Sequence, residues 1–182
     1  MKKLTLKGMI LAAMFAALTG ILTQIQFQVP LSPVPINLAL FSVYLAGALL
    51  GPRYGTLSMV VYVLLGAVGL PVFSNFTGGL HKLVGPTGGY IAGYVLCAFL
   101  VGLLSRKWNF YFVMLSAAML VGLAACYALG TAWFMIATKN SLAASLGMCV
   151  IPFLPGDAFK IIAAVLLAGR LRAPLKASGW AE

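Results

Sequence analysis

The segment Met148-Cys-Val-Ile-Pro-Phe-Leu-Pro-Gly-Asp-Ala-Phe-Lys-Ile-Ile-Ala-Ala-Val-Leu-Leu-Ala-Gly169 decides how this chain folds. As a helix it is long enough to cross the ~30 Å hydrocarbon core of a bilayer. It nevertheless contains one acid, Asp157, and one base, Lys160, in a chain that is 63% hydrophobic and has only two acids. Ionisable groups at membrane depth are costly and usually face a cavity that carries a substrate or an ion. The segment therefore predicts a transmembrane helix with a candidate binding site.

The other apolar runs indicate an all-α integral membrane protein, because they are continuous and do not alternate as barrel strands would. The length of 182 residues fits one domain, residues 1–182. The first apolar run is too long for a cleaved signal peptide, so we expect it to be a retained helix. Breaks at proline, glycine and charged residues predict six transmembrane helices, at about 8–28, 36–50, 54–73, 87–105, 110–137 and 148–169.

The distribution of basic residues predicts the orientation of the six helices. Lysine and arginine are enriched on the cytoplasmic side of membrane proteins. With both termini cytoplasmic, nine basic residues lie inside and two, Lys82 and Lys139, lie outside, while Lys160 lies within the membrane. The inner nine are Lys2, Lys3, Lys7, Arg53, Arg106, Lys107, Arg170, Arg172 and Lys176. These residues lie at the ends of apolar runs and are not clustered on one face. We therefore interpret the net charge of +10 as a signal for membrane orientation, and we do not expect the chain to bind nucleic acid.

The same helix assignment predicts where a binding site lies. Asp157 precedes Arg170 by thirteen residues, which places its carboxylate roughly 20 Å above the cytoplasmic boundary, in the outer half of the membrane. Polar and aromatic residues gather at this level, whereas the inner half is almost purely aliphatic. They are Gln24 and Gln28 on one face of the first helix, together with Phe73, Asn75, Phe76, Tyr90, Tyr94, Tyr127, Gly130 and Trp133.

Asp157 and Lys160 are spaced to share one helix face, which leaves two interpretations open. A self-neutralising structural pair is one, and a binding site is the other. We favour the binding site, because buried ion pairs add little net stability over apolar packing. Pro152 and Pro155 also disrupt helical hydrogen bonding beside Asp157, and irregular backbone at membrane depth requires protein or a wet cavity next to it. The stiff Val29–Ile36 loop, rich in proline, is a candidate lid over this site.

Several chemistries are disfavoured by what the sequence lacks. It contains no P-loop motif for ATP. A single histidine, His81, and one internal carboxylate cannot form a metal site, and an intramembrane aspartyl protease needs a second aspartate. Cys97, Cys126 and Cys149 have no metal or redox spacing. We therefore expect a protein that is not an enzyme and that has no cofactor and no metal.

Two glycine- and alanine-rich patterns have alternative interpretations. Ala12, Ala16 and Gly20 form a small-residue stripe with Ala13 and Ala17 beside it, which permits either internal packing or docking onto another membrane protein. The segment Gly85–Tyr90 superficially resembles a channel filter, but its residue order and the preceding proline favour a tight turn.

Several motifs resemble the BioY family, the biotin-binding S components of energy-coupling factor transporters. They occur in the order and with the spacing of that family's motifs, over roughly residues 8–170. They are Pro33-Val-Pro-Ile36, Leu45–Arg53, Tyr62, Gly66–Phe73, Gly78-Gly79, Gly85–Tyr90 and the segment from Pro152 to Lys160. The chain departs from the family at Asn37-Leu38-Ala39, where many members have Thr-Leu-Gln.

The resemblance implies a six-helix S-component bundle in a bacterial or archaeal cell membrane that captures biotin from outside. It implies as partners, besides membrane lipid, a transmembrane coupling subunit and a pair of ATP-binding-cassette ATPases, with Ala12, Ala13, Ala16 and Ala17 at the coupling interface. The expected substrate-binding residues are Asp157, Lys160, Asn75, Tyr90, Phe73, Trp133 and Gly79. Which end of biotin meets which charge stays open.

Two other functions are alternatives to an S component. A stand-alone proton-coupled carrier could use Asp157 as its proton site, but the chain is small and shows no evident inverted repeat. A small channel would need polar residues in the inner half, which the sequence lacks.

Overall fold

The computed structural model describes residues 4–28, 32, 34–107 and 111–180 and is almost entirely helical. Five stretches are long and apolar enough to cross a membrane: Leu6–Gln24, Ala39–Ala67, Gly88–Lys107, Phe112–Thr138 and Leu142–Ala177. The elements are α1 (Leu6–Gln24), β1 (Gln26–Phe27), β2 (Ile36–Asn37), α2 (Ala39–Ala67), α3 (Leu80–Val84), α4 (Gly88–Lys107), α5 (Phe112–Thr138), α6 (Leu142–Cys149) and α7 (Leu154–Ala177), with a 3-10 turn at Ile151–Phe153 before α7.

Helix α2 reverses direction at Gly51 and so supplies two of the six predicted helices. Gly51 has φ 75° and ψ −177°, a conformation that essentially only glycine adopts. The Oγ1 atom of Thr19 lies 2.9 Å from Ser42 Oγ and 4.0 Å from Met59 Sδ. A straight helix would hold Ser42 and Met59 roughly 25 Å apart. The two halves of α2 therefore run antiparallel to each other. The prediction of a six-helix bundle is confirmed.

The outer end of the first predicted helix, at residue 28, is wrong. Helix α1 ends at Gln24, because Gln26 and Phe27 pair antiparallel with Asn37 and Ile36 in a short ribbon. Gln28 consequently lies outside the helix and does not share a helix face with Gln24. An apolar run does not distinguish helix from strand by itself, and tertiary pairing decided this end.

The last predicted helix, 148–169, is divided differently in the structure. Pro152 lies in the 3-10 turn, and Pro155 lies in the first turn of α7, where its missing N–H costs nothing. Helix α7 then continues past Arg170 to Ala177. Hydropathy marks where a helix leaves the membrane, whereas hydrogen bonding determines where the helix ends.

One end of the bundle is closed by contacts between the two chain termini and the Gly51 bend. The rings of Tyr54 and Trp180 pack edge to face, with centroids 5.2 Å apart. Trp180 Nε1 donates to the Leu49 carbonyl at 3.1 Å, and the backbone N–H of Thr5 donates to Tyr54 Oη at 2.8 Å. Both described chain ends therefore lie on the same side of the bundle, as six crossings require.

Candidate functional site

Asp157 and Lys160 form a salt bridge across the first two turns of α7. Lys160 Nζ lies 2.7 Å from Asp157 Oδ1. Asp157 is completely buried and Lys160 is 6% exposed, so each charge is compensated by the other and not by solvent. The two charges therefore neutralise each other within the protein.

Tyr127 of α5 holds the second oxygen of the same carboxylate. Its hydroxyl donates a hydrogen bond to Asp157 Oδ2. Asp157 is thus clamped between α5 and α7, with both oxygens occupied. This role of Tyr127 could not be predicted, because nothing in a single sequence shows that a tyrosine on one helix reaches an acid on another.

A cavity opens in the outer half of the bundle, and Lys160 and Tyr127 line it while Asp157 lies behind them. Of the predicted site residues, Phe73, Asn75, Tyr90 and Lys160 line this cavity. The other lining residues are Thr23, Val34, Pro35, Asn37, Leu40, Tyr62, Ser74, Thr77, Lys82, Thr87, Ile91, Tyr94, Cys126, Tyr127 and Phe153. The wall combines aromatic faces with amide, hydroxyl and ammonium groups, which suits a small ligand with an apolar body and polar ends.

Aromatic rings from α2 and α4 form one wall of the cavity. Tyr62 packs edge to face on Phe73, with centroids 5.6 Å apart, and lies 6.4 Å from Tyr94 at a tilt of 38°. The Tyr90 hydroxyl lies 3.1 Å from Thr131 Oγ1 of α5. These contacts fix the rings before any ligand arrives, which reduces the entropy lost on binding.

The turn that carries Phe73 and Asn75 is held by the end of α1. Gln24 Nε2 donates to the Phe73 carbonyl at 3.1 Å, and Gln24 Oε1 accepts from the Phe76 N–H at 2.9 Å. Asn75 and Phe76 both have positive φ, 61° and 52°. The side-chain oxygen Oδ1 of Asn75 accepts a hydrogen bond from Gln26 Nε2. Gln24 therefore acts by shaping this turn, and it is not itself among the residues lining the cavity.

Besides Asp157, two predicted site residues, Trp133 and Gly79, do not line the cavity. Trp133 is 37% exposed, and its Nε1 donates to the Gly85 carbonyl at 3.0 Å. The Gly79 N–H donates to the Gly66 carbonyl at 2.6 Å. The direction of a side chain around a helix or in a turn depends on packing that the sequence does not specify.

Two polar lining residues that are not among the predicted site residues come from segments between the long helices. Asn37 Nδ2 donates to Ser74 Oγ at 3.1 Å, and Asn37 Oδ1 accepts from the Ala39 N–H at 3.0 Å. Asn37 therefore places a polar group in the cavity wall at the position where the chain departs from the usual family pattern. Lys82 of α3 is a second lining cation. Its position in a loop predicted to lie outside the membrane was the one available signal.

The predicted lid falls partly on residues that can be described. Val34 and Pro35 line the cavity, and Val34 is buried. Ser32 Oγ donates to the Val34 carbonyl at 2.9 Å. Residues 29–31 and 33 lie outside the described residues, so a lid remains a prediction.

The small-residue stripe on α1 is divided between the inside and the outside of the bundle. Ala12 and Ala16 are each 1% exposed, and Gly20 is buried beside Val72. Ala13 and Ala17 are exposed. The first group therefore packs within this chain, and the second group faces outward.

Comparison with known proteins gives concordant results. The family model described as "BioY family" matches residues 1–177. The chain is 41% identical to the "Biotin transporter BioY" of Thermotoga maritima over 92% of this chain and 96% of that protein. It is 40% identical to the "Probable biotin transporter BioY" of Pyrococcus horikoshii over 91% of this chain and 96% of that one.

A solved structure described as the S-component for biotin from an ECF-type ABC transporter superposes on this chain with a TM-score of 0.85. The two are 31% identical, and the match covers 94% of this chain and 95% of that one. The sequence and structural comparisons therefore extend over nearly the whole chain.

Proposed function

The chain belongs to the BioY family, and we propose that it captures biotin at the outer face of the membrane as the S component of an energy-coupling factor transporter. It works with a transmembrane coupling subunit and a pair of ATP-binding-cassette ATPases in the cell membrane. The named relatives are transporters, and we extend this to the chain as a protein that moves its ligand without changing it chemically.

The outer cavity, with Lys160 at its wall and Asp157 behind it, is the observation that supports the proposal for the binding residues. Biotin has a ureido ring with two N–H donors and one carbonyl acceptor, and this group needs both an acceptor and a donor. Lys160 lines the cavity and can donate to the ureido oxygen. Tyr127 also lines the cavity, and its hydroxyl oxygen retains acceptor capacity while its proton is directed to Asp157.

Within this proposal Asp157 positions the groups that meet the ligand. Its two oxygens are occupied by Lys160 and Tyr127, so it fixes one donor and one acceptor at the cavity wall. The neighbouring rings of Phe73, Tyr90 and Tyr94 supply apolar surface for the bicyclic body of biotin. Asn75 and Asn37 add amide groups at the loops.

We further propose that the coupling subunit contacts the outward face of α1. Ala13 and Ala17 are exposed there and permit a second helix to approach closely. The adjacent apolar side chains Met9, Met14 and Ile21 are also exposed. The buried residues Ala12 and Ala16 then support α1 from inside the bundle and make no direct contact with the partner.

A ligand titration tests the substrate. Detergent-purified protein is titrated with biotin, thiamine and riboflavin while intrinsic tryptophan fluorescence is recorded. We expect saturable binding of biotin at submicromolar concentration and no binding of thiamine or riboflavin. Failure to bind biotin would contradict the proposal.

Uptake by proteoliposomes tests the mode of transport. We expect accumulation of biotin that depends on the coupling subunit, the ATPase pair and ATP. If the purified protein alone accumulated biotin when only a proton gradient was applied, the S-component mechanism would be wrong. A proton-coupled carrier would then be the better interpretation.

A further inference from the structure

A second space, which we call the lateral groove, lies on the outside of the bundle beside the outer cavity. Its volume is about 570 Å³, within the ~300–1,000 Å³ that small-molecule clefts usually have. One side of it is formed by residues 25–27 and 36–38, at the connection between α1 and α2, together with Phe41. The other side is one face of α7, on which Gly156, Phe159, Lys160 and Ala163 recur at helical spacing.

The lateral groove and the outer cavity share a wall. Asn37 and Lys160 line both spaces. Between them the chain turns neighbouring side chains to opposite sides, since Leu40 lines the cavity and Phe41 lines the groove. A single layer of side chains, from the segment 37–41 and from Lys160, therefore separates the two spaces. Whatever fills the groove packs against the back of the cavity wall.

The lateral groove opens toward the hydrocarbon of the membrane. Helix α7 belongs to the stretch Leu142–Ala177, which is long and apolar enough to cross a bilayer. The rings of Phe27 and Phe159 line the groove and are exposed on the outside of the bundle. Apolar side chains exposed together in this way mark a surface that contacts lipid or protein. The α1–α2 connection lies at the end of the bundle opposite the described chain ends, which corresponds to the outer leaflet.

We propose that one acyl chain of an outer-leaflet lipid binds in the lateral groove. The small residues Gly156 and Ala163 leave the face of α7 open to a linear chain. A Cβ atom on Gly156 would meet only Ile36, at 3.9 Å, so there is room beside the helix. Lys160 is the one charged residue among the described residues that line the groove, and Asp157 compensates its charge. The groove therefore favours an uncharged, apolar occupant.

The bound acyl chain supports the wall of the outer cavity from behind. A lysine side chain has four flexible carbons, and ordering it costs conformational entropy. A chain that packs against the Lys160 stem from the groove confines this side chain to the cavity side, where it meets Asp157. Order that exists before the ligand arrives strengthens ligand binding. The effect on biotin rests on the proposed function, whereas the lipid site itself does not.

Leucine substitutions on α7 test the lipid site. Gly156→Leu and Ala163→Leu each fill the groove with a side chain, at two separate positions. Ala158→Leu and Gly169→Leu are the matched controls, because both residues are exposed on the same helix and do not line the groove. The proteins are purified in digitonin, which has no linear acyl chain, and the retained phospholipid is quantified by mass spectrometry. We expect the unmodified protein and the controls to retain one more lipid per protein than the groove variants.

Biotin titration of the same proteins tests the coupling between the two spaces. Each protein is stripped of lipid in digitonin and titrated with biotin, with and without added dioleoyl phosphatidylglycerol. Glycerol phosphate, which has the head-group chemistry without the acyl chains, is the ligand control. We expect the phospholipid to strengthen biotin binding to the unmodified protein and to the controls about fivefold, as for ordering one flexible side chain in advance. The groove variants should bind biotin equally well with and without lipid.

Three results would overturn the assignment. Groove variants that retained as much lipid as the controls, or that kept the lipid effect on biotin, would show that the lipid binds elsewhere. An equal effect of glycerol phosphate would show that the head group acts and not the acyl chain. Loss of assembly with the coupling subunit in the groove variants, at unchanged lipid retention, would assign the groove to that subunit. If the unmodified protein bound no biotin under any condition, the proposed function would fail, while the lipid count would still decide the lipid site.

Discussion

The two ends of the bundle use polar and aromatic residues in opposite ways. At the outer end, Lys160 and Tyr127 hold Asp157 but also line a cavity. At the inner end, Tyr54 and Trp180 satisfy their hydrogen-bonding groups on Thr5 and Leu49 and pack on each other. Groups with capacity left over can bind a ligand, whereas groups saturated by their own chain can only stabilise it. Substitutions at the two ends should therefore separate binding from stability.

The largest effect is expected for Lys160→Met. It leaves the buried Asp157 carboxylate without its cation, which costs about 3–5 kcal/mol of folding free energy. Thermal unfolding in detergent measures the loss of stability, and biotin titration should show no binding. The double variant Asp157→Leu/Lys160→Met should recover most of the stability without recovering binding. Recovery of binding in the double variant would contradict a role for the pair in the site.

Trp180→Ala is the counterpart at the inner end. It removes a buried ring and its hydrogen bond to Leu49, with an expected loss of about 3 kcal/mol. The cavity is untouched, so the biotin dissociation constant of the folded protein should change less than about twofold, well below the tenfold that 1.4 kcal/mol represents. A large loss of affinity here would show that the two ends are coupled.

A matched pair of glycine substitutions sharpens the contrast. A Cβ atom on Gly66 would collide with the ring of Phe73 in the cavity wall, and a Cβ atom on Gly8 would collide with the ring of Tyr54 at the inner end. Overpacking of this kind costs about 1–3 kcal/mol in both cases. Only Gly66→Ala should also weaken biotin binding, as measured by fluorescence titration. Equal effects of both variants on affinity would contradict the separation.

Asp157→Asn tests the clamp with a smaller change. The amide keeps the shape of the side chain but loses the negative charge. That charge orients Lys160 and strengthens the hydrogen bond that Tyr127 donates. We expect biotin binding to weaken by about 1–3 kcal/mol. Unchanged affinity, measured by the same titration, would mean that the pair has only a structural role.

Tyr127→Phe should have the smallest effect. It removes one hydrogen bond to Asp157 and the hydroxyl from the cavity wall, while Lys160 remains paired. Affinity should fall by about 1 kcal/mol. A matched control is Tyr111→Phe, which changes an exposed tyrosine outside the cavity and should have no effect on binding.

Much of the site could be predicted because charge is rare in this sequence. An acid in an apolar helix has few places where it is stable, so Asp157 and Lys160 were identifiable from their chemistry alone. Phe73, Asn75 and Tyr90 were predicted by their level near the outer ends of helices, and all three line the cavity. Trp133 satisfied the same criterion and points elsewhere, because level along a helix does not specify direction around it.

The sequence by itself determined the class of the protein and the number of helices, and it predicted the depth of the ion pair. These properties follow from hydrophobicity, from the positions of lysine and arginine and from the rise of a helix, all of which are local or additive. Only the tertiary structure decided that Gly51 folds α2 back on itself, that Tyr127 holds Asp157, and that Lys82 shares a cavity with Lys160. Those facts depend on which residues meet across different helices, and close packing between helices is not encoded in any single segment.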